Sequence, residues 1–422
     1  MEVFSLANSC LLKIIENKTP FHTALKELFK EHDDEKNKRA DVTSLVGCEL
    51  RHHYFLEVIV KDLDLNEKSL EKLLSIYLVL ANLYFFKKFS LEECRKHLNL
   101  ILEKEDLEKL EKLLIYTGSP LDLMPSSINR NSDVFASIRF NTPRWLIKMW
   151  QKQFGRGITF KIIKSLSKTS NQTFRVNDKL ADKEQILLAN KDYFVNTKTK
   201  DIINYVAKGN LKKNELTKSF NIYPMNEVVK KIFDDLNLNN EMCITLFTDK
   251  NVGMIYELFM HSDKREINIA VPNIILFPDV INQIRSNEQY RKINFFSNND
   301  LSFLDADISS KQDLVIVNPS SSYFDTIKKQ PDYLINFEKT SLTNCINNEF
   351  NSLEGISKIV SDNGRLVYIV ETLNIKESKT ITSMFLEAHK DFFLLEEKQY
   401  LSYDEYGSNI YYAIFQKDGG NK

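Results

Sequence analysis

The stretch DLVIVNPSSSYFDTIKKQPD, residues 313–332, decides the fold of this 422-residue sequence. It begins with the short β-branched run Leu314–Val317, which is typical of a strand buried on both faces. Asn318-Pro319 then ends the strand, since proline fixes φ and lacks the N–H that a sheet needs. In an open α/β sheet, ligands and chemistry lie at the carboxyl ends of the strands. We therefore expect the active site at this stretch, although it holds no obvious catalytic residue.

The same alternation of strand and helix extends from about Asn221 to the end of the sequence, which predicts a parallel sheet with crossover helices. Five apolar runs predict the parallel strands, and two further runs predict a closing pair. The five runs are 243–248, 267–271, 292–297, 313–317 and 365–370, and the pair is 392–398 and 411–417.

Residues 1 to about 125 carry apolar side chains at helical spacing throughout, which predicts an all-α domain. The run Leu70–Phe86 is almost continuously apolar and predicts a central buried helix. Ser90 followed by Glu93 is typical of a capping box at the start of the next helix. The stretch 120–132, PLDLMPSSINRNS, is rich in Pro, Ser and Asn and predicts a linker.

Basic residues dominate Ile138–Leu180, which contains ten lysines and arginines and one acidic residue. Because the whole chain has a net charge of −1, this excess is local. Thr142-Pro143 predicts a helix start, Gly155 predicts its end, and Trp145 and Trp150 lie on its expected buried face. A row of basic side chains suits a phosphate backbone, so the segment predicts contact with RNA.

Composition argues against other classes of protein. The five cysteines are widely spaced and form no metal-binding pattern with histidine, which predicts buried thiols and no metal site. No apolar run approaches the roughly 20 residues of a membrane span, and the N-terminus lacks the features of a secretory signal. We therefore expect a soluble, cytoplasmic, monomeric protein that binds neither membranes nor metal ions.

Several stretches resemble one family. LVGCELRHHYFLEVIV (45–60) and IYLVLANLYFFKKFSLEECRKHLNLI (76–101) resemble the NusB-like domain of bacterial ribosomal-RNA cytosine-5 methyltransferases of the Sun/RsmB type. FNTPRWLIKMWQKQFG (140–155) and QTFRVN (172–177) resemble the family's RNA-binding region. The resemblance implies a multidomain α plus α/β chain: a NusB-like helical domain at 1–125, a small basic α+β RNA-binding segment at 126–220, and a Rossmann-like class I methyltransferase domain at 221–422.

The sequence departs from this family where the family binds S-adenosylmethionine. The family's first loop is D-x-C-A-A-P-G-G-K-T, whereas TLFTDKNVGMIYELF (245–259) keeps one glycine, Gly253. Glycines in such a loop let the backbone approach the ligand at a helix N-terminus. After the second strand, Pro272 or Asn273 stands where the family has its acidic residue, and Asp300 is a shifted candidate after the third strand. We therefore expect no cofactor, with Gly253, Asp300, Asn318 and Pro319 as remnants of its site.

Both catalytic cysteines implied by the resemblance are also replaced. The family adds one thiolate to carbon 6 of cytosine and uses a second cysteine for elimination. In NPSSSYFD (318–325) the first position is held by Ser320 or Ser321, and in IVETLNIKES (369–378) the second is held by Glu371. The later KKQPD corresponds to the family's R-R-H-P-D. The residues therefore predict no covalent cytosine-5 mechanism.

Two functions remain open on the sequence alone. The first is an RNA-binding member of the family, with ribosomal RNA as partner and no methyl transfer. The second is an active S-adenosylmethionine-dependent methyltransferase, because Asn318-Pro319 resembles the N-P-P-Y/F motif of amino-methyltransferases. Under the first hypothesis, the expected RNA-contacting residues are Arg139, Arg144, Lys148, Lys152, Arg156, Arg175, Asn177, Lys328 and Lys329.

Overall fold

The structure is a computed structural model, and it describes residues 2–65, 69–169, 172–207, 215–238, 242–261, 267–286, 292–297, 308 and 310–420. The chain divides into two compact units. Unit 1 comprises Met1–Thr169 and Thr326–Glu338, and unit 2 comprises Ser170–Asp325 and Lys339–Lys422. The boundary at residue 169 differs from the predicted ones at residues 125 and 220, so the predicted basic segment, 126–220, is divided between the two units. The functional division at residues 125 and 220 stays a prediction.

Unit 1 is helical, as its apolar periodicity predicted. The buried run Leu74–Ala81 shows that α4 forms the centre of the core, where it packs against α1 and α3. Ser90 and Glu93 form the predicted capping box at the start of α5. The helices are α1 (Val3–Glu16), α2 (Phe21–Glu31), α3 (Arg39–Lys61), α4 (Leu70–Ala81), α5 (Leu91–Leu98), α6 (Lys104–Leu114), α7 (Asp133–Arg139) and α8 (Arg144–Leu166).

Helix α8 differs from its prediction at the N-terminus. Pro143 takes the N-cap position and Thr142 does not, because the Thr142 hydroxyl donates a hydrogen bond to a nearby carbonyl instead. At Gly155 the backbone has φ of 75° and ψ of 164°, so the first helical run ends there as predicted, and a second run follows directly. Trp150 is fully buried, whereas Trp145 is half-buried.

The segment Thr326–Glu338 follows strand β8 (Gln312–Asn318) of unit 2 in the sequence but belongs to unit 1. It contains the short helix α14 (Tyr333–Asn336). The first N–H of α2, on Phe21, donates to Asp332 Oδ2 at 3.1 Å, and Asp332 is buried. The Arg51 guanidinium donates to the carbonyl of Lys328 at 3.2 Å. The KKQPD stretch therefore packs against helices of unit 1.

Unit 2 contains a small antiparallel sheet with the strand order β2-β3-β1-β4. One face packs Phe174, Phe194 and Ile203 against Ile186 of the neighbouring helix. The strands are β1 (Gln172–Val176), β2 (Phe194–Asn196), β3 (Ile202–Tyr205) and β4 (Ile222–Pro224), and the helices are α9 (Lys183–Ala189) and α10 (Glu215–Lys218).

A seven-stranded sheet forms the rest of unit 2, in the order β10-β11-β9-β8-β5-β6-β7. β5 to β9 are parallel, and β10 and β11 are antiparallel. The other elements are β5 (Ile244–Thr248), β6 (Ile267–Val271), β7 (Ile293–Ser297), β9 (Val360–Val370), β10 (Phe392–Gln399), β11 (Tyr411–Lys417), α11 (Glu227–Asp235), α12 (Val252–Phe259), α13 (Pro278–Ser286), α15 (Ser341–Ser357) and α16 (Lys379–Ala388).

The central strands are apolar on both faces because both faces of the sheet are covered. Leu246 and Ile316 enter one hydrophobic cluster, and Phe247, Val315 and Val317 enter another. Such double burial is why parallel strands appear as continuous apolar runs in a sequence. The predicted multidomain α plus Rossmann-like α/β fold is confirmed.

Candidate functional site

The loops at the carboxyl ends of β5, β6, β8 and β9 lie at one edge of the sheet, because these strands are parallel and adjacent. They are Thr248–Asn251 after β5, Pro272-Asn273 after β6, Asn318–Tyr323 after β8 and Glu371-Thr372 after β9. We call these loops the candidate site. Open α/β sheets bind their ligands at this edge.

Asn318 is buried and its polar groups bond within the protein. Its Oδ1 accepts a hydrogen bond from Thr248 Oγ1 at 2.9 Å, and its Nδ2 donates to the carbonyl of Ile369 at 2.9 Å. Its own carbonyl accepts from the N–H of Asp249 at 3.0 Å. An amino-methyltransferase site would need this amide for its substrate amine. The amide instead joins β8 to its neighbours, so Asn318 acts as a structural residue here.

Gly253 lies in the first turn of α12 and faces protein. A Cβ atom there would lie 2.7 Å from the carbonyl oxygen of Pro224 in β4, closer than real Cβ atoms approach such a group. The missing side chain therefore serves the packing of α12 against β4. We correct the interpretation of Gly253 as a cofactor remnant accordingly. The N-terminus of α12 is capped by Asn251, whose Oδ1 accepts from the N–H of Met254 at 3.2 Å.

Tyr323 ties the loop after β8 to the loop after β5. Its side chain is buried, and its hydroxyl donates to the carboxylate of Asp249. The ammonium of Lys250 lies 3.2 Å from the centroid of the Tyr323 ring, a cation–π contact. Tyr323 also has φ of 46°, an uncommon conformation for an aromatic residue. We call these three side chains the Tyr323 cluster.

The residues at the two cysteine positions of the family also bond within the protein. Glu371 Oε1 accepts from Asn251 Nδ2 at 3.2 Å. Ser321 is buried and its Oγ accepts from the N–H of Tyr323 at 3.2 Å, whereas Ser320 is half-buried. Burial raises the pKa of the Cys345 thiol in α15 to about 12, so this thiol stays protonated at neutral pH.

A buried pair of carboxyl groups supports the loop after β8, and no sequence pattern indicated it. Glu377 Oε1 accepts from the N–H of Ser322 at 2.6 Å, and Glu377 Oε2 accepts from Thr372 Oγ1 at 2.9 Å. Glu349 of α15 is fully buried, and its burial and the charge of Glu377 raise its pKa well above the ordinary value. Two neighbouring buried carboxyl groups are stable when one keeps its proton.

The end of β6 offers no carboxylate among its described residues. Pro272 and Asn273 follow the strand directly, and Asn273 Oδ1 caps a short 3-10 turn by accepting from the N–H of Ile275 at 3.0 Å. Asp300, the shifted candidate, lies outside the described residues. The described residues of the candidate site therefore depart from the family's cofactor motif: the loop after β5 carries bulky bonded side chains, and no described acid directly follows β6.

The predicted basic surface of unit 1 is exposed to solvent. Arg144, Lys148 and Lys152, which we call the α8 basic row, project from the first helical run of α8. Lys329 is exposed and Lys328 is half-buried in the same unit. Exposed basic residues that flank the row are Arg139, Arg156, Lys161, Lys164 and Lys168.

Two of the residues predicted to contact RNA are buried in this structure. Arg175 is buried, with its Nε 3.0 Å from Glu257 Oε2 of α12. Asn177 is also buried, and its Nδ2 donates to the carbonyl of Phe220 at 3.2 Å. An arginine in a basic segment of sequence is expected at the surface, but here the Arg175 guanidinium forms a buried ion pair with the Glu257 carboxylate. Arg175 joins the small sheet to α12, and Asn177 joins the end of β1 to the residues before β4.

Two further classes of site are absent from the described part of the chain. No described helix is both long enough and apolar enough to cross a membrane. No described group of three or more His, Cys, Asp or Glu side chains is arranged to hold a metal ion.

Known proteins resemble this chain in structure but not in sequence. No protein-family model and no curated protein matches it. The crystal structure of PH0851 matches with a TM-score of 0.77 and 14% identity over 99% of both chains. A methyltransferase homolog protein from Pyrococcus horikoshii matches with a TM-score of 0.56 and 13% identity, over 68% of this chain and 99% of its own.

NSun6 from Pyrococcus horikoshii, solved with SFG, matches with a TM-score of 0.57 and 11% identity, over 65% of this chain and 98% of its own. Identities this low establish the fold alone. The chain therefore has the Rossmann-like fold that these methyltransferase structures share.

Proposed function

We propose that this chain is a cytoplasmic, monomeric RNA-binding protein, built on the fold of S-adenosylmethionine-dependent RNA methyltransferases, that does not transfer methyl groups. Ribosomal RNA is the proposed partner, on the resemblance of its sequence to the ribosomal-RNA cytosine-5 methyltransferases. The observation that carries the proposal is the exposed α8 basic row.

The α8 basic row suits a phosphate backbone by its spacing. Its members are four residues apart, and a helix rises about 1.5 Å per residue, so successive charges lie about 6 Å apart along the axis. Successive phosphates of one nucleic acid strand have a similar spacing. No acidic residue occurs from Ile138 to Asn177, so the row is not neutralised within its own stretch of sequence. Neutralising phosphates in this way gives affinity without sequence specificity.

The absence of methyl transfer is supported by the candidate site. The Tyr323 cluster occupies the loop that in the family carries the cofactor glycines, and serine and glutamate stand at both cysteine positions. Replacing Ser320 or Ser321 together with Glu371 by cysteine restores thiols only. We expect no methylation of RNA by such a double variant, because rate depends on holding the methyl donor in line with the base.

The alternative, an amino-methyltransferase at Asn318-Pro319, is not favoured. Its Asn318 amide is bonded within the sheet, and Ser321 stands at the fourth motif position, where the motif has an aromatic residue. No cofactor is proposed.

The test measures binding of the intact protein to ribosomal-RNA fragments over a range of salt concentrations. Log affinity should fall linearly with log salt, with a slope of about 0.7 to 0.9 for each phosphate neutralised. Replacing the α8 basic row by alanine should reduce the slope by about 2 to 3 if each member contacts one phosphate. Alanine at the exposed Lys26, Lys30 and Lys104 of the same unit removes equal charge and should change the slope little. Equal effects of both triple variants, or no binding by the wild type, would contradict the proposal.

A further inference from the structure

The β2–β3 half of the small sheet has an exposed apolar face. Tyr193, Val195 and Val206 are 48%, 42% and 45% exposed. They share one face, because Tyr193 and Val195 alternate with buried Phe194, and Val206 lies opposite Tyr193, to whose carbonyl its N–H donates at 2.9 Å. The other side of these strands carries Phe194 and Ile203, which are buried against Ile186. On the same side as Val195, the neighbouring Ile202 of β3 is fully buried, so the exposed area is limited to the end of the sheet around Tyr193, Val195 and Val206.

A polar group lies in the middle of this face. Asn204 is the register partner of Val195 and, in the next strand, of Thr173. Its Oδ1 has no hydrogen-bond partner among the described residues. This oxygen is itself buried, and a buried acceptor without a partner costs free energy that a hydrogen bond from a ligand would offset. We call Tyr193, Val195, Asn204 and Val206 the Tyr193 face.

The charge beside the Tyr193 face is positive. The stretch 191–200 flanks β2 and carries three exposed lysines, Lys191, Lys198 and Lys200, against one exposed acid, Asp192. Lys198 lies 3.8 Å from Glu405, so its charge is partly offset, and the positive charge rests mainly on Lys191 and Lys200. An exposed aromatic ring on a sheet with lysines around it is the combination by which proteins bind unpaired bases of RNA. The α8 basic row has cations but no fully exposed aromatic ring beside it, since Trp150 is buried and Trp145 half-buried.

We propose that the Tyr193 face binds an unpaired nucleobase of RNA, with the base stacked on the Tyr193 ring and the Asn204 amide at the base edge. The inference rests on the proposed function and adds to it a second RNA site, with single-stranded RNA as its ligand. A protein partner is the weaker interpretation, because a stable protein interface uses about 20 to 30 residues a side and this face has four.

The experiment compares a blunt-ended RNA duplex of two strands with the same duplex bearing a single-stranded extension that contains 2-aminopurine. Tyr193→Ala should weaken binding of the extended duplex about 5-fold to 150-fold, the loss of one stacked base, and should abolish the fluorescence change of the 2-aminopurine. Binding of the blunt duplex, which has no unpaired base, should be unchanged. Tyr193→Phe keeps the ring and should bind like the wild type. Leu188→Ala removes a different exposed apolar side chain, 82% exposed, and is the matched control.

The outcomes separate this inference from the proposed function. If Tyr193→Ala binds both RNAs like the wild type while alanine substitution of the α8 basic row weakens both, the inference fails and the proposed function stands. If the wild type binds neither RNA, the proposed function fails and the inference with it. Self-association of the wild type that Tyr193→Ala abolishes, measured by light scattering, would assign the face to a second copy and overturn the inference.

Discussion

Arg175→Met should destabilise the protein without changing its affinity for RNA. The Arg175 and Glu257 side chains are 6% and 1% exposed and lie 3.0 Å apart. Methionine keeps the length and apolar character of the arginine stem, so the main loss is the positive charge beside a buried carboxylate. The groups that remain are the Tyr223 hydroxyl, which donates to Glu257 Oε2 at 2.8 Å, and the side chains of Lys230 at 4.0 Å and His261 at 3.8 Å.

The expected magnitude follows from the rule for buried ion pairs. Removing one partner costs about 3 to 5 kcal/mol, because the other charge is left buried without compensation. Because the Tyr223 hydrogen bond and the more distant basic side chains still stabilise Glu257, the loss for Arg175→Met should lie near the lower end of this range, at about 3 kcal/mol. Arg175→Met combined with Glu257→Gln removes both charges, and the double variant should recover about 1 to 3 kcal/mol relative to the sum of the single losses.

Urea unfolding measures this effect, followed by far-ultraviolet circular dichroism and by tryptophan fluorescence. Both tryptophans, Trp145 and Trp150, belong to unit 1, whereas Arg175 and Glu257 belong to unit 2. The loss of stability of unit 2 should therefore appear in the circular dichroism, which follows both units, whereas tryptophan fluorescence follows unit 1. Arg144→Met removes an exposed arginine from the α8 basic row and should change stability by less than about 0.5 kcal/mol.

The opposite pattern would refute the reasoning. If Arg175→Met unfolds at the urea concentration of the wild type and lowers the salt slope of RNA binding by about one phosphate, then Arg175 is an RNA contact and its buried pair is not formed in solution.

Three further predictions concern single residues. Gly155→Ala should cost about 1 to 3 kcal/mol in urea unfolding followed by tryptophan fluorescence, since φ of 75° with ψ of 164° belongs to glycine, whereas Gly157→Ala, at a site with open space, should be neutral or stabilising. Glu349→Gln should weaken the pH dependence of the free energy of unfolding. Burial raises the pKa of Glu349 in the folded protein above its ordinary value of 4.5, so its contribution to stability is fully present below 4.5 and is lost as pH rises through the folded pKa. Between about pH 5 and pH 8, the stability of the wild type should therefore fall more than that of the variant. Tyr323→Phe should cost about 1 to 3 kcal/mol, because Asp249 loses its hydroxyl donor. The first prediction is contradicted if Gly155→Ala and Gly157→Ala are equally stable. The second is contradicted if the stabilities of the wild type and Glu349→Gln change in parallel with pH. The third is contradicted if Tyr323→Phe unfolds at the same urea concentration as the wild type.

Elements buried on both faces were predictable from the sequence. β5, β6, β8 and β11 lie within one residue of the predicted runs, because a buried parallel or central strand must be a short apolar stretch. β9 begins at Val360, five residues before the predicted Arg365, since its first half is polar and partly exposed and gave no apolar signal.

The parts that depend on contacts between distant residues were not predictable. Asp332 meets the start of α2 at Phe21, 311 residues away in sequence, and nothing near either residue indicates the other. Arg175 and Glu257 are also far apart, so the arginine was assigned to the surface from its basic neighbours. In the candidate site, the sequence alone shows where the chain departs from the family's motifs. The Tyr323 cluster was not predictable, because it forms only when the loops after β5 and β8 come together.

Calorimetric titration of S-adenosylmethionine into the intact protein tests whether the candidate site can bind the methyl donor. We expect no saturable heat up to millimolar ligand. The reason is that the loop after β5 carries Asp249 and Lys250, both in contact with Tyr323, in place of the glycines that hold the cofactor. A saturable isotherm with one site per chain would contradict it and would restore methyl transfer as the function of the sheet edge.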